Sequence, residues 1–504
     1  MYYNGANFVN NINIRIGSRR LEVARFPGAG ASSNSFPVLE QRNSMADSQT
    51  VSAANGPRLR RTLGLWDLIL YGMIVVQPTA PMPVYGIMSQ RAHGHAVTTV
   101  LIAMVAMLFT AISYGRMARA YPSAGSAFTY VGSEIHPALG YVTGWGMAMD
   151  YMLNPIVCTI LCSKFALNFF PEIPYPVLVF LFIALFTGLN LFGIRTSARI
   201  NDTLAAAMGI VILIFLAAAA RYVLRTPHDG IAFFTRPFYD PQTFSLPAVL
   251  GGTSLAVLTY IGFDGISTLS EEAENPKRNI LLATVLVCLI TGILASVEVY
   301  AAQLVWPSSV PFPDVDTAYV AVAGRAAGHW LFSLINVTLL VATVGSGMGS
   351  QLGAARLLYG MGRGNAIPKS FFGAIEPKRR IPRNNVLFVG VFALIGTTFL
   401  TFERAAELLN FGALLAFMGV NAASFTRYFL RERKKDLSNF LVPILGFTVC
   451  FLLWLNLSRP AKIAGVAWMA LGIGYGAIKT HGFKSELVSF EIPDEADGAA
   501  GAAS

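Results

Sequence analysis

Of 504 residues, 54% are hydrophobic and only 13% charged, with a mean hydropathy of +0.55. Soluble domains carry roughly 25% charged residues, so this is not a soluble enzyme or binding module. The formal charge of +10 does not point to nucleic acid either: the basic residues sit in alternate loops between apolar runs of about 20 residues, as in a polytopic helical protein of the lipid bilayer.

Residues 1–57 are rich in Asn, Ser, Ala and Gly without helical periodicity, which predicts a disordered cytoplasmic tail. No apolar core follows the early arginines, so no signal peptide is expected, and Met45-Ala46-Asp47-Ser48 reads as a more natural start than Met1. A membrane domain then runs from 58 to 480. Arg58, Arg60 and Arg61 form a basic collar before a first span at about Leu63–Met88, with Trp66 at the interface. Gln77-Pro78-Thr79-Ala80-Pro81-Met82-Pro83 interrupts this span. Each proline lacks a donor and clashes with the preceding turn, and Pro81 or Pro83 suits the first turn of a new half-helix.

Further spans are expected at about Ala96–Ala118, Ala138–Phe170, Tyr175–Phe192, Thr203–Leu224, Leu246–Ser270, Ile280–Val305, Trp330–Met361, Asn385–Phe402, Ala405–Arg427, Phe440–Leu457 and Ile463–Ile478. The total is about twelve: a first repeat over 58–225, a second over 246–430 and two additional helices over 437–480. Residues 481–504 are an acidic, Ala/Gly-rich tail. With both tails in the cytoplasm, inside loops hold roughly 23 Lys and Arg against roughly 8 outside. Cys158, Cys162, Cys288 and Cys450 all lie in apolar segments as small core residues; no metal motif, nucleotide-binding loop or nucleophile–base spacing appears, so neither a cofactor nor enzymatic chemistry is expected.

The sixth span carries Leu258-Thr259-Tyr260-Ile261-Gly262-Phe263-Asp264-Gly265. Gly262 and Gly265 loosen the helical ladder and permit close approach of a guest. A carboxylate at this depth is expensive and marks a functional site, although Asp264 would also serve as the N-cap of a second half-helix. The first and sixth spans, five apart, are thus both interrupted. A matched pair of Gly/Pro-interrupted helices in the two halves of a membrane protein points to a transport site near the midplane. The N-terminus near Pro81 would favour a substrate carboxylate, unwound carbonyls near Val76–Thr79 and Thr259–Gly262 would accept from an ammonium, and Asp264 would add a full negative charge. The expected substrate-binding residues are Gln77, Pro78, Thr79, Ala80, Tyr151, Thr259, Tyr260, Gly262, Phe263 and Asp264.

The sequence resembles the amino acid–polyamine–organocation (APC) superfamily over about residues 60–480. The resemblance rests on Leu108–Gly115 (LFTAISYG), Tyr121–Tyr130 (YPSAGSAFTY), Gly262–Asp264, Thr268–Glu272 (TLSEE), Asn275–Arg278 (NPKR), Arg356–Gly362 (RLLYGMG) and Asn410–Ala413 (NFGA). Gly144-Trp145 with Asp150-Tyr151, and the proline of the first break, bring it nearest to bacterial putrescine importers. The resemblance implies a LeuT-like 5+5 inverted repeat with broken helices 1 and 6, and secondary active import of a small cationic or zwitterionic amine. Two positions keep the substrate open. Gln77-Pro78-Thr79-Ala80-Pro81 stands where many amino acid permeases are Gly-rich, and Pro83 stands where putrescine importers carry an acid, so a monoamine or amino acid is an alternative. The coupling ion is expected to be a proton by analogy. Sodium would use Thr343, Ser346 and Ser350, and no fifth-span lysine stands in for it. Asp150, Asp264 and Ser346 are the ion-coupling candidates. Glu271 and Glu272, with Glu274, Lys277 and Arg278, are expected to form an inner gate or ion-pair network. Glu298 and Lys164 are expected to snorkel to the interface. An exchanger and a sodium symporter of the same fold are the competing readings.

Overall fold

The computed structural model describes residues 63–482 apart from 122–125, 193–197, 271, 364–366, 377–378 and 380, and apart from the side chains of 198–202. The expected tail over 1–57 and all of the expected 481–504 tail beyond Gly482 lie outside the described residues, as does Glu271. Among the described residues the fold is all-helical, without strands.

The first apolar segment is two helices. α1 (Leu65–Val76) ends where Pro78 cannot continue it, and α2 (Pro81–Arg91) starts on the proline at its first position, bent from α1 by 55°. α3 (Ala96–Ala120), the short α4 (Ser126–Glu134), α5 (Pro137–Leu167), α6 (Tyr175–Leu191) and α7 (Ala198–Arg225) follow. After α8 (Ile231–Thr235), α9 (Leu246–Ala256) gives way to 3-10 helix over Val257–Thr259 and again over Phe263–Leu269. Then come α10 (Pro276–Val305), α11 (Ala318–Ala327), α12 (His329–Arg363), α13 (Lys369–Phe372), α14 (Arg383–Phe399), α15 (Phe402–Phe425) with a π-helical turn to Arg431, α16 (Leu437–Leu455) and α17 (Arg459–Lys479).

Eight helices among the described residues are long and apolar enough to cross a membrane, and the bent α1–α2 pair makes a ninth. α6 and α14 are apolar but shorter. The chain is a multi-pass membrane protein. Its periphery agrees: Leu213, Leu224, Phe399, Ile463, Leu471 and Ile478 are all at least 66% exposed, which water would penalise and lipid does not.

α5 occupies the centre, with α12 and α15 packed on it, while α10 lies along α3. Glycines set these distances. A Cβ on Gly412 would stand 2.4 Å from the Gly146 carbonyl oxygen, so α15 and α5 touch backbone to backbone. Ion pairs close both ends of the bundle. At the face where α2 ends, Lys164 pairs with Asp314 (2.9 Å) and Asp316 (3.5 Å), and Arg91 with Glu403 and Glu407 (each 3.7 Å). Lys164, expected to snorkel, is held by these two aspartates. Glu298 does not snorkel. It lies two turns inside the end of α10, fully buried beneath α11, too deep for its side chain to reach water.

Candidate functional site

The first break is a short irregular turn. α1 closes with the Gln77 amide on the Met73 carbonyl (3.0 Å), and Gln77 itself takes φ 66° and ψ 126°, a conformation that costs a non-glycine residue about 1–3 kcal/mol. Pro78, Thr79 and Ala80 turn the chain, with the Ala80 amide on the Gln77 carbonyl (3.1 Å). The Gln77 side chain donates to the Ala342 carbonyl on α12 (3.4 Å), and Thr79, 2% exposed, points its hydroxyl at the Met208 sulfur on α7 (3.7 Å). Thr79 is thus held inside the protein while Gln77, Pro78 and Ala80 stay partly exposed; irregular backbone survives at membrane depth only against protein or a water-filled cavity.

The second break is looser. Between the two 3-10 stretches, Gly262 adopts φ +117°, open only to glycine. A Cβ there would lie 2.9 Å from the Val75 side chain in the last turn of α1. The second interruption thus lies against the last turn of α1, next to the first, and the 3-10 stretch that carries Asp264 packs on α1. Asp264 is not an N-cap: that position belongs to Gly262, and no side chain caps it.

Asp264 is only partly buried although protein surrounds it, and the same holds for Asp150, Tyr151 and Asn154 on α5. Asp264 acts electrostatically on Asp150, Tyr151, Tyr114 and Tyr130. Tyr151 also faces α12, where a Cβ on Gly353 would touch its ring at 3.5 Å. The Tyr151 ring thus lies against α12, and the half-buried Asp150 precedes it on α5.

Other predicted residues sit elsewhere or act differently. Tyr260 is 1% exposed and turns away, its hydroxyl donating to the Val100 carbonyl on α3 (2.9 Å). Phe263 is fully buried against Tyr114 and Phe417, a wall rather than a lining. Thr259 is fully buried with an unpartnered hydroxyl. On α12, Gly347 packs tightly on Phe186 and Cys158, whereas Gly345 and Gly349 have open space where a side chain would be. Ser346 is half-buried next to that open face, and the Ser350 hydroxyl is spent on the Gly347 carbonyl (3.1 Å).

Tyr114 and Tyr130 are site neighbours that sequence reasoning overlooked. Both are fully buried, both hydroxyls lack a partner, and the rings lie 6.2 Å apart. The signal was there, in the LFTAISYG and YPSAGSAFTY stretches. Ser126 links this region to the second break, its hydroxyl 3.1 Å from that of Ser267.

Of the ion-pair network expected from Glu271, Glu272 and Glu274 with Lys277 and Arg278, Glu271 lies outside the described residues. Glu272 and Glu274 contribute backbone hydrogen bonds. The Leu63 amide donates to the Glu272 carbonyl (3.1 Å) and the Glu274 amide to the Leu63 carbonyl (2.8 Å), while Lys277 and Arg278 stay exposed. The network at this face centres on Glu134, 1% exposed, which accepts from Arg427 (2.5 Å), Arg431 (3.0 Å) and Tyr121 (2.7 Å). Burial first, then Glu134, pushes the Tyr121 phenol up.

A helical membrane protein whose two interrupted segments meet beside interior carboxylates has the parts of a solute carrier. The sequence profile of the amino acid permease family matches residues 84–471, and the chain belongs to that family. It is 35% identical over 444 residues to the low-affinity putrescine importer PlaP of Escherichia coli (strain K12), covering 86% of this chain and 96% of the relative. The branched-chain amino acid permease BcaP of Bacillus subtilis (strain 168) is 25% identical over 459 residues, 84% of this chain and 94% of the relative. The vacuolar cationic amino acid transporter 4 of Arabidopsis thaliana is 25% identical over 403 residues, 75% and 65% of the two chains. These relatives are transporters, not enzymes.

Proposed function

We propose that this protein is a secondary active importer of a small amine-bearing solute, working by alternating access around the two breaks, with protons as the coupling ion. The observation that carries the reading is Asp264: a partly accessible carboxylate beside the glycine of one interrupted span, with the end of α1, next to the other break, against that glycine. In that setting an ammonium exchanges its water shell for a carboxylate and free carbonyls. Within the family, the identity to a putrescine importer over most of both chains favours a diamine, with Asp150 as the second anionic group in place of the acid missing at Pro83. In this reading α5, α6 and α14 complete twelve spans, the two breaks belong to inverted repeats of five, and both termini face the cytoplasm of the cell bounded by this plasma membrane. Gln77, Pro78, Thr79 and Ala80 supply backbone to the substrate, and Asp150 and Asp264 carry the proton.

Sodium coupling has one observation in its favour. The Gln77–Ala342 contact brings the first break to the turn of α12 that carries Thr343 and Ser346. The experiment is uptake of radiolabelled putrescine into proteoliposomes, competed by diamines, monoamines and amino acids, under a pH gradient or a sodium gradient. Competition led by diamines and driven by external acid supports the reading. Uptake driven by sodium at fixed pH overturns the proton assignment, and strict one-for-one counterflow without net uptake replaces import with exchange.

A further inference from the structure

Glu298 is unused by the site described above. It is fully buried in α10, and neither carboxyl oxygen has a hydrogen-bond partner. Two elements, α11 and α2, cover it. From α11, the Tyr319 hydroxyl donates to the Glu298 backbone carbonyl (3.3 Å), and from α2, the outer piece of the broken first span, Tyr85 packs edge-on against Tyr319 with ring centroids 5.6 Å apart. The fit of α2 against α11 is tight, since a Cβ on Gly86 would overlap the Val315 carbonyl oxygen and Ala318.

The groups facing Glu298 leave it without a countercharge. Tyr319 on α11 is the titratable group on which it acts, with Tyr85 of α2 behind. Arg91 of α2 is committed to Glu403 and Glu407, and Arg325 of α11 to the Tyr222 hydroxyl (3.0 Å) and the face of Trp306. α3 presents no titratable residue between 96 and 107, and on α7 Arg221 and Arg225 are exposed. Gly72 of α1 packs at Ile266 and at Val287, eleven residues along α10 from Glu298, and Asp67 and Tyr71 precede it on α1. An ionised carboxylate with no partner in such a place is not sustained, whereas the neutral acid is.

We propose that Glu298 is a second proton-binding site, one that must be loaded before α2 and α11 close over it. When the cover parts, the carboxyl meets water and releases its proton to it; when a proton returns to the carboxyl oxygen, the cover can shut. Protonation at this face thereby sets the rate of occlusion. This holds whether or not a proton is then carried across with the substrate, so it stands apart from the coupling assignment above.

The test needs no substrate. Ala318→Cys places a thiol under the cover, and the four native cysteines are all buried. Its alkylation by a membrane-impermeant maleimide is followed across pH in proteoliposomes, with and without Glu298→Gln. Thiol reactivity rises with pH in both, so the double variant sets the baseline. The expectation is a several-fold excess of labelling at alkaline pH with Glu298 present, lost in the double variant. Equal pH dependence in the two overturns the proposal. Glu298→Leu is also made: with no partner to lose, it should melt no lower than the native protein. If neither Glu298→Gln nor Glu298→Leu folds, the carboxyl has structural partners and the proposal falls.

Discussion

In each break one residue holds a positive-φ backbone conformation that its neighbours must justify, Gln77 at φ 66° and Gly262 at φ +117°. The runs of proline and glycine made both breaks readable in the sequence, but not which residue would carry the strain. Gly262 and Gly265 look alike in sequence, yet Gly262 has Val75 against it and Gly265 has open space. Gly262→Ala is therefore expected to cost about 1–2 kcal/mol in backbone strain alone and to impair transport, and Gly265→Ala to be tolerated; melting temperatures and uptake rates of the two purified variants check this. At Gln77 the strain of about 1–3 kcal/mol is partly offset by the entropy cost of glycine, so Gln77→Gly should melt at or above the native temperature while Gln77→Val melts below it.

Among elements, hydropathy and helix signals give the long spans because each is a local property of 17 to 35 residues. They do not give α4. Its nine residues lie between the second and third expected spans, where no helix was anticipated, and its role depends on partners 293 and 297 positions away. Glutamates 271 and 272 stand out in sequence because basic residues follow them closely, whereas Glu134 is isolated in the chain and finds Arg427 and Arg431 only on folding. Breaking a buried pair leaves charge uncompensated, so Glu134→Ala should lower stability by about 3 kcal/mol, with Glu134→Gln costing less; thermal unfolding followed by size-exclusion chromatography measures both. Similarly, Gly412→Leu should prevent α15 from seating on α5 and abolish the monodisperse folded protein, because the backbone contact at Gly146 leaves no room for a side chain.

At the scale of the whole molecule, composition and periodicity were enough to declare a multi-pass helical protein, and short motifs enough to declare its family. Which residues face inward was not legible. Tyr260 and Phe263 follow the same unwound segment as Asp264, yet one turns onto α3 and the other packs against Tyr114 and Phe417, since a 3-10 path rotates successive side chains by a different angle from an α-helix. The central claim is that the two interruptions enclose an amine beside Asp264. Its most direct test is equilibrium binding of radiolabelled putrescine to purified native protein and to Asp264→Asn, with folding confirmed by unchanged chromatographic behaviour. The account predicts saturable binding by the native protein and its loss in the folded variant. Equal affinity in the two would contradict it.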